Sequence, residues 1–214
     1  MMKVCFVDLD GTITRPRLNN TFDFIFAFYK YGGYKYKKIK GFVSKLLGLM
    51  SFIMPFARGK IRKYQILVLF RGLDAERVRE FVQKHWISNV RENLNSEVID
   101  IISCHRRKGY RLVMLTACTE SPARQISESL RFDDVISTTF VVSNGKIVGV
   151  NDDTFASSKA RVLFGRYSPD VIKESHYIMD SPSIESQLLR VFKLTYIVSK
   201  GKVIRVHRRQ EWES

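Results

Sequence analysis

The chain has 214 residues, 45% of them apolar, and a formal net charge of +15. This length suits one α/β domain with an insertion or two small domains, and the apolar content excludes global disorder. The charge favours anionic partners: phosphorylated substrates, nucleic acid or acidic lipid.

The excess is concentrated. Between Phe24 and Leu73 there is no Asp or Glu, while Lys30, Lys35, Lys37, Lys38, Lys40, Lys45, Arg58, Lys60, Arg62, Lys63 and Arg71 all fall there. The stretch YKYGGYKYKKIK, Tyr29 to Lys40, alternates lysine with tyrosine. Cys5, Cys104 and Cys118 show no CxxC spacing, which argues against a zinc site or disulfide framework and fits a reducing cytoplasm. No apolar run reaches the ~20 residues of a membrane span. The longest uncharged run, Leu46 to Ala57, has 12 residues and suits a buried or an interfacial helix.

In chain order, Lys3–Leu9 reads as a short apolar strand, with no leader expected ahead of it. Residues from about Asn20 to Arg107 read mainly as helix. Val78, Phe81, Val82 and Trp86 recur near helical spacing behind Asp74, a predicted N-cap. Ser96 is the predicted cap of the next helix, and Gly109 its stop. Tyr110–Thr116 is a second strand. Thr138–Val150 is a hairpin turning at Asn144-Gly145. A helix is predicted from Lys159, then strands at Ser175–Asp180, Leu194–Ser199 and Lys202–His207. Such alternation implies an α/β fold with a mostly parallel sheet and helices on both faces. The helical block is inserted after the first strand.

The sharpest chemical signal is FVDLDGTIT, Phe6 to Thr14. Asp8 and Asp10 stand two apart at a strand end, so both project to one side. Gly11 lets the chain turn at once. Active sites of open parallel sheets lie at strand C-termini, and paired carboxylates there make a hard oxygen site suited to Mg²⁺.

At these residues the chain resembles the haloacid dehalogenase superfamily of phosphohydrolases. DLDGT looks like the first motif of that family. LVMLTACTE supplies the strand-end Thr116 of the second, SSKARVL the helical Lys159 of the third, and YIMDSPSIESQLL the acids Asp180 and Glu185 of the fourth. The resemblance covers the whole chain and implies a Rossmann-like core. It implies Asp8 as nucleophile, Asp10 as general acid and base, and Mg²⁺ held by Asp8, the Asp10 carbonyl, Asp180 and Glu185. It implies Thr116 and Ala117 at the phosphoryl oxygens, and Lys159 neutralising developing charge. Two departures stand out: Met179 occupies a position that is often Gly, and Glu185 must reach back from one residue further along than usual.

The order of motifs looks most like the phosphoserine phosphatase-like branch, with residues 1–15 and 108–214 as catalytic core and 16–107 as a basic helical cap. In phosphoserine phosphatases an acid shortly after the first motif binds the substrate amine. Here ITRPRLNNTF has no acid but Arg15 and Arg17, and Arg15 is expected at the substrate. The insert pattern, basic-aromatic, then apolar, then basic, is similar to that of phosphatidylglycerophosphatases of the C type. It fits an anionic membrane surface, with tyrosines at headgroup depth and lysines each worth about 1 kcal/mol there. The apolar run could equally be the buried core of the cap. Nucleic acid is disfavoured because no recognition motif accompanies the basic stretch.

The expected activity is a Mg²⁺-dependent phosphomonoesterase acting on a lipid-head-group phosphate or another polyanionic phosphate. The expected location is the cytoplasm, peripheral to the inner membrane face. A soluble metabolite phosphatase of the phosphoserine type and a catalytically inactive anion- or membrane-binding module remain alternatives. Asp152 and Asp153 are read as acids of a solvated loop in preference to substrate contacts, and Asp133 and Asp134 as capping or turn acids. His85, His105, His176 and His207 lack ligand spacing, and Cys118 is read as packing.

Overall fold

A computed structural model describes residues 2–16, 18–32, 38–155 and 157–208. Arg17 and the middle of the tyrosine-lysine stretch, residues 33–37, lie outside the described residues. The core is a six-stranded sheet built from β1 (Val4–Val7), β2 (Arg111–Thr119), β3 (Asp134–Thr138), β6 (His176–Met179), β7 (Leu194–Ser199) and β8 (Lys202–Arg208). The spatial order is β3-β2-β1-β6-β7-β8. All neighbours are parallel except β7 and β8. Strand alternation sends Val4 and Phe6 into one hydrophobic cluster with Leu163, and Cys5 and Val7 into the other with Val98 and Ile102. The α/β fold with a mostly parallel sheet agrees with the sequence reading.

β1 is flanked by β2 on one side and β6 on the other, so the chain winds away from it in both directions. That topological switch opens a crevice at the C-terminal ends of these three strands. The predicted hairpin forms as β4 (Phe140–Ser143) and β5 (Lys146–Val150). Asn144 and Gly145 both take positive φ, 49° and 73°, as a tight two-residue turn requires.

The insert contributes α1 (Phe22–Tyr31), α2 (Lys38–Ile53), α3 (Arg58–Phe70), α4 (Ala75–Phe81) and α5 (Ile87–Glu92), the last two joined by a π-helical turn at Val82–Trp86. Asp74 caps α4 by accepting from the Arg77 amide at 3.0 Å. The next helix, α6 (Ser96–Arg107), packs against β2 and β8, so it belongs to the layer covering the sheet. Its N-cap is Asn95, not Ser96. The Asn95 amide donates to the Ile13 carbonyl at 2.8 Å and its side chain to that of Thr12 at 3.2 Å. Those bonds tie the start of α6 to the loop after β1.

α2 and α3 form a hairpin, closed by a short turn at Pro55–Ala57. The apolar run between residues 46 and 57 is mostly not buried. α2 turns Gly41, Ser44 and Ser51 inward and leaves Phe42, Leu46, Leu49, Phe52 and Ile53 exposed. The reason lies on α3. Gln65 is buried and donates to both the carbonyl and the hydroxyl of Ser44, at 2.9 and 3.2 Å. A Cβ on Gly48 would stand 3.2 Å from the same amide nitrogen. Small polar positions therefore face the partner helix. The remaining helices are α7 (Glu120–Ser129), α8 (Ser157–Arg166), α9 (Pro169–Lys173) and α10 (Ser186–Leu189). Among the described residues no helix is long and apolar enough to cross a membrane.

Candidate active site

Asp8 follows directly from β1 and is 6% exposed. Its amide donates to the Ile178 carbonyl at 2.9 Å, which registers it against β6. The chain then turns through Leu9–Ile13. Gly11 takes φ 76°, and a Cβ there would lie 2.2 Å from Asp180 Oδ2. The glycine thus serves two ends: the left-handed turn, and close approach of the carboxylate that follows β6.

Asp10 is held from the other side by Asn20. The Asn20 amide and side-chain nitrogen both donate to Asp10 Oδ1, at 2.8 and 2.7 Å. Asn20 is itself fixed, accepting from the Trp86 indole at 3.1 Å and donating to Thr14 Oγ1 at 3.2 Å.

Lys159 enters from α8 and is 1% exposed. Its Nζ donates to Asp8 Oδ1 at 3.0 Å, to Tyr177 Oη at 3.2 Å and to Glu185 Oε1. Tyr177 in turn donates to Glu185 Oε2 at 2.6 Å. Both Glu185 oxygens are thus engaged, and in this structure the residue expected among the metal ligands braces Lys159.

Burial opposes the charge on Lys159, but the carboxylates of Asp8 and Glu185 outweigh it and raise its pKa. Burial also pushes Asp8 up to about 8 despite Lys159, with Glu185, Asp180 and Asp10 adding to the rise. Asp10 is pushed up to about 6 by burial, against the bonds from Asn20. Asp180 is raised by burial and by Glu185. These carboxylates crowd around one ammonium, and the excess negative charge suits a cation.

The donors are all oxygen, as Mg²⁺ prefers. Among the described residues no three His, Cys, Asp or Glu side chains form a ready cage. Mg²⁺ commonly keeps water and substrate oxygens as ligands, so a partial carboxylate set fits it. Asp8, Asp180 and the Asp10 carbonyl are the groups that would hold it.

These residues open into a cavity of about 390 Å³, lined also by Thr116, Ala117, Asn19, Phe22 and Phe155. Thr116 is fully buried, and its Oγ1 accepts from the Cys118 amide at 3.1 Å. The positive wall comes from α3 of the insert, where Arg58 and Arg62 line the cavity. Arg58 Nε is buried without a hydrogen-bond partner among the described residues. Arg62 lies 5.2 Å over the Phe22 ring and donates to Gln65 at 2.9 Å. Burial lowers its pKa, and the Arg58 charge adds to that.

Arg15 is a correction. It is exposed and does not line the cavity; its amide is committed to the Asn93 carbonyl at 2.9 Å. The turn after Thr14 carries its side chain outward. Asn20, Tyr177, Arg58 and Arg62 were missed. For the arginine pair a signal did exist: the two are four apart on one helix face in an acid-free segment. Asn20 and Tyr177 act through partners distant in sequence and carry no local mark.

Asp153, expected in a solvated loop, is instead buried and ion-paired. Asp153 is 9% exposed and pairs with Lys63 at 3.5 Å and Arg161 at 3.9 Å. Asp133 accepts from the Leu112 amide at 2.7 Å. Cys118 is buried in the core. Two of the scattered histidines do meet: His105 Nε2 lies 2.9 Å from His176 Nδ1, at the opposite end of β6 from the cavity.

Comparison with known proteins places this geometry. A substrate-bound phosphoserine phosphatase superposes with a TM-score of 0.61 at 14% identity, covering 98% of this chain and 95% of that one. A phosphoserine phosphatase holding a phospho-aspartyl intermediate analogue gives 0.58 at 15% identity, over 92% and 86%. The phosphoserine phosphatase of T. onnurineus gives 0.59 at 17% identity, over 91% and 82%. At such identities the likeness establishes the fold. No curated protein matches the sequence significantly. A profile of haloacid dehalogenase-like hydrolases matches residues 5–183, from the first motif to Asp180 of the fourth and ending before Glu185. With Asp8, Asp10, Thr116, Lys159 and Asp180 gathered around one cavity, the chain belongs to the haloacid dehalogenase-like hydrolases.

Proposed function

We propose that the protein is a Mg²⁺-dependent phosphomonoesterase whose substrate carries a second negative charge beside the reacting phosphate, with a lipid head-group phosphate as the preferred class. One observation carries this reading. The cavity joins a buried Asp8–Lys159 pair on the core to Arg58 and Arg62 on the insert. A phosphate at Asp8 would leave the arginines facing whatever lies next to it. Cations that converge there favour an anion, and Arg suits phosphate through its planar fork.

In the reaction so read, an Asp8 oxygen attacks phosphorus and forms an acyl phosphate as the ester P–O bond breaks. Asp10, steadied by Asn20, gives its proton to the leaving alkoxide. It then takes a proton from the water that attacks phosphorus, which releases inorganic phosphate and restores Asp8. Lys159 holds Asp8 in place and offsets charge on the transferring group. Thr116 lies at the cavity wall to donate to a phosphoryl oxygen. Mg²⁺, when bound, supplies charge neutralisation between carboxylates and phosphate.

A soluble substrate of the phosphoserine type is the second reading, favoured by the near full-length likeness to phosphoserine phosphatases. Against it, the cavity lining near the insert includes no acid to receive an amine; Asn19 and Thr21 stand there. A phosphate-release screen with Mg²⁺ over lipid phosphates, bisphosphorylated metabolites, phosphoserine and p-nitrophenyl phosphate tests the choice. Highest kcat/KM is expected on the lipid or bisphosphorylated substrates. Preference for phosphoserine would move the assignment to the second reading. Absence of turnover on every phosphomonoester would leave an inactive module. Asp8→Asn should abolish turnover while the protein keeps its fold by circular dichroism.

A further inference from the structure

We propose that the α2–α3 hairpin docks into the headgroup layer of an anionic bilayer. The observation is the inverted face of α2. Phe42, Leu46, Leu49 and Ile53, spaced by four, three and four residues, form one stripe that is 69%, 49%, 58% and 66% exposed. Phe52 and Phe56, 76% and 86% exposed, complete it at the tip of the hairpin. Contiguous apolar surface of this kind on a folded protein marks a binding face.

The charge around the stripe selects the occupant. Lys45 beside it and Lys60 past the tip are exposed, and no acid occurs from Phe24 to Leu73. Large outward aromatic and aliphatic groups gain nothing from a nucleic-acid backbone. They do gain from the acyl boundary, while lysines at the same level gain from anionic headgroups. α2 has 16 residues and carries lysines, so it lies in the interface and does not span it.

Placement ties the docking face to the cavity. Phe56 stands two residues before Arg58, which lines the cavity wall. A bilayer holding Phe52 and Phe56 would bring the mouth of the cavity to headgroup level. Delivery of a lipid phosphate to Asp8 rests on the phosphatase reading; the docking itself does not.

The test is co-sedimentation with vesicles of phosphatidylcholine alone and of phosphatidylcholine with phosphatidylglycerol, at low and high salt. Both the native chain and the triple substitution Leu46→Glu, Leu49→Glu, Phe52→Glu are compared. These side chains are exposed and outside the cavity, so the variant should fold and hydrolyse p-nitrophenyl phosphate as the native chain does. The native chain should bind anionic vesicles best at low salt, and the variant should partition at least about tenfold less. Absence of native binding at low salt, or equal binding by the variant, overturns docking. So does a vesicle-free dimer that the same substitutions dissociate, since the stripe would then belong to a second copy. Asp8→Asn should bind vesicles as the native chain does. A native chain that hydrolyses p-nitrophenyl phosphate but binds no vesicles would sink docking alone. A native chain that binds vesicles but turns over no phosphomonoester would sink the catalytic reading alone.

Discussion

Lys159 shows how the smallest scale of the site is built. Its ammonium has three partners and almost no solvent, so its position depends on Tyr177 and Glu185 as much as on Asp8. Tyr177→Phe removes the hydroxyl that satisfies Glu185 Oε2. A buried carboxylate deprived of one donor costs roughly 1–3 kcal/mol, which a lowered urea midpoint would show. Turnover should fall about tenfold with little change in KM, because Lys159 loses its orientation and the substrate contacts stay. Unchanged stability and turnover would mean that the Tyr177–Glu185 contact is incidental. Gly11→Ala is more severe. The new Cβ would meet Asp180 Oδ2 at 2.2 Å in a left-handed backbone, so Asp180 must move. Loss of Mg²⁺-dependent turnover together with a destabilisation of about 1–3 kcal/mol is expected, checked by phosphate release and urea unfolding. Asp8 and Asp180 were legible in sequence because each directly follows a core strand, whereas Asp10 was legible from its motif spacing but is aimed from within the Leu9–Ile13 turn by Asn20. Glu185 was legible as a site residue, but its two partners lie on other elements, and only their convergence set its task.

Between elements, the His105–His176 pair joins α6 to the start of β6. Tautomers that satisfy the contacts run from Tyr110 Oη to His176 Nε2 at 3.4 Å, from His176 Nδ1 to His105 Nε2 at 2.9 Å, and from His105 Nδ1 to the Ile101 carbonyl at 2.8 Å. Both rings are neutral in this chain of bonds; a further proton would set two N–H groups against each other. Burial lowers the His176 pKa to about 4, helped by His105, Lys193 and Lys108 against Glu174, and burial lowers His105 as well. An unfolded histidine takes its proton near 6.5, so the unfolded state binds more protons on acidification. The contribution is therefore complete above pH 6.5 and is lost as pH falls towards 4. With His105 buried and His176 partly exposed, it amounts to roughly 1–2 kcal/mol after screening. Urea midpoints at pH 7.5 and 5 should differ accordingly, and His176→Leu should flatten the difference. The sequence shows four histidines without ligand spacing; that two of them meet follows from α6 lying against the sheet.

At the scale of the whole molecule, the cavity has one wall from the core and one from the insert. Arg58→Ala with Arg62→Ala should raise KM about ten- to hundredfold for a substrate with a second phosphate, and much less for p-nitrophenyl phosphate, in steady-state assays. An equal rise for both would show that the arginines meet the reacting phosphate itself. Chelation with EDTA should abolish turnover and Mg²⁺ restore it, since the carboxylates around Asp8 outnumber the one lysine among them.

The order of strands and helices, the first-motif turn at Gly11 and the carboxylates that follow β1 and β6 are legible in the chain alone. Those follow from local rules: apolar alternation, glycine at a positive φ and the direction of side chains along a strand. Which basic residues line the cavity and which side of α2 meets water depend on the packed fold. Arg15 and Arg58 are alike in composition and charged surroundings, and the fold turns one outward and the other inward. On α2, apolar residues and small polar ones recur with the same helical period, so periodicity alone leaves two ways to seat the helix. The buried Gln65 of α3 settles it, because its amide needs the serine face and leaves the apolar face outside.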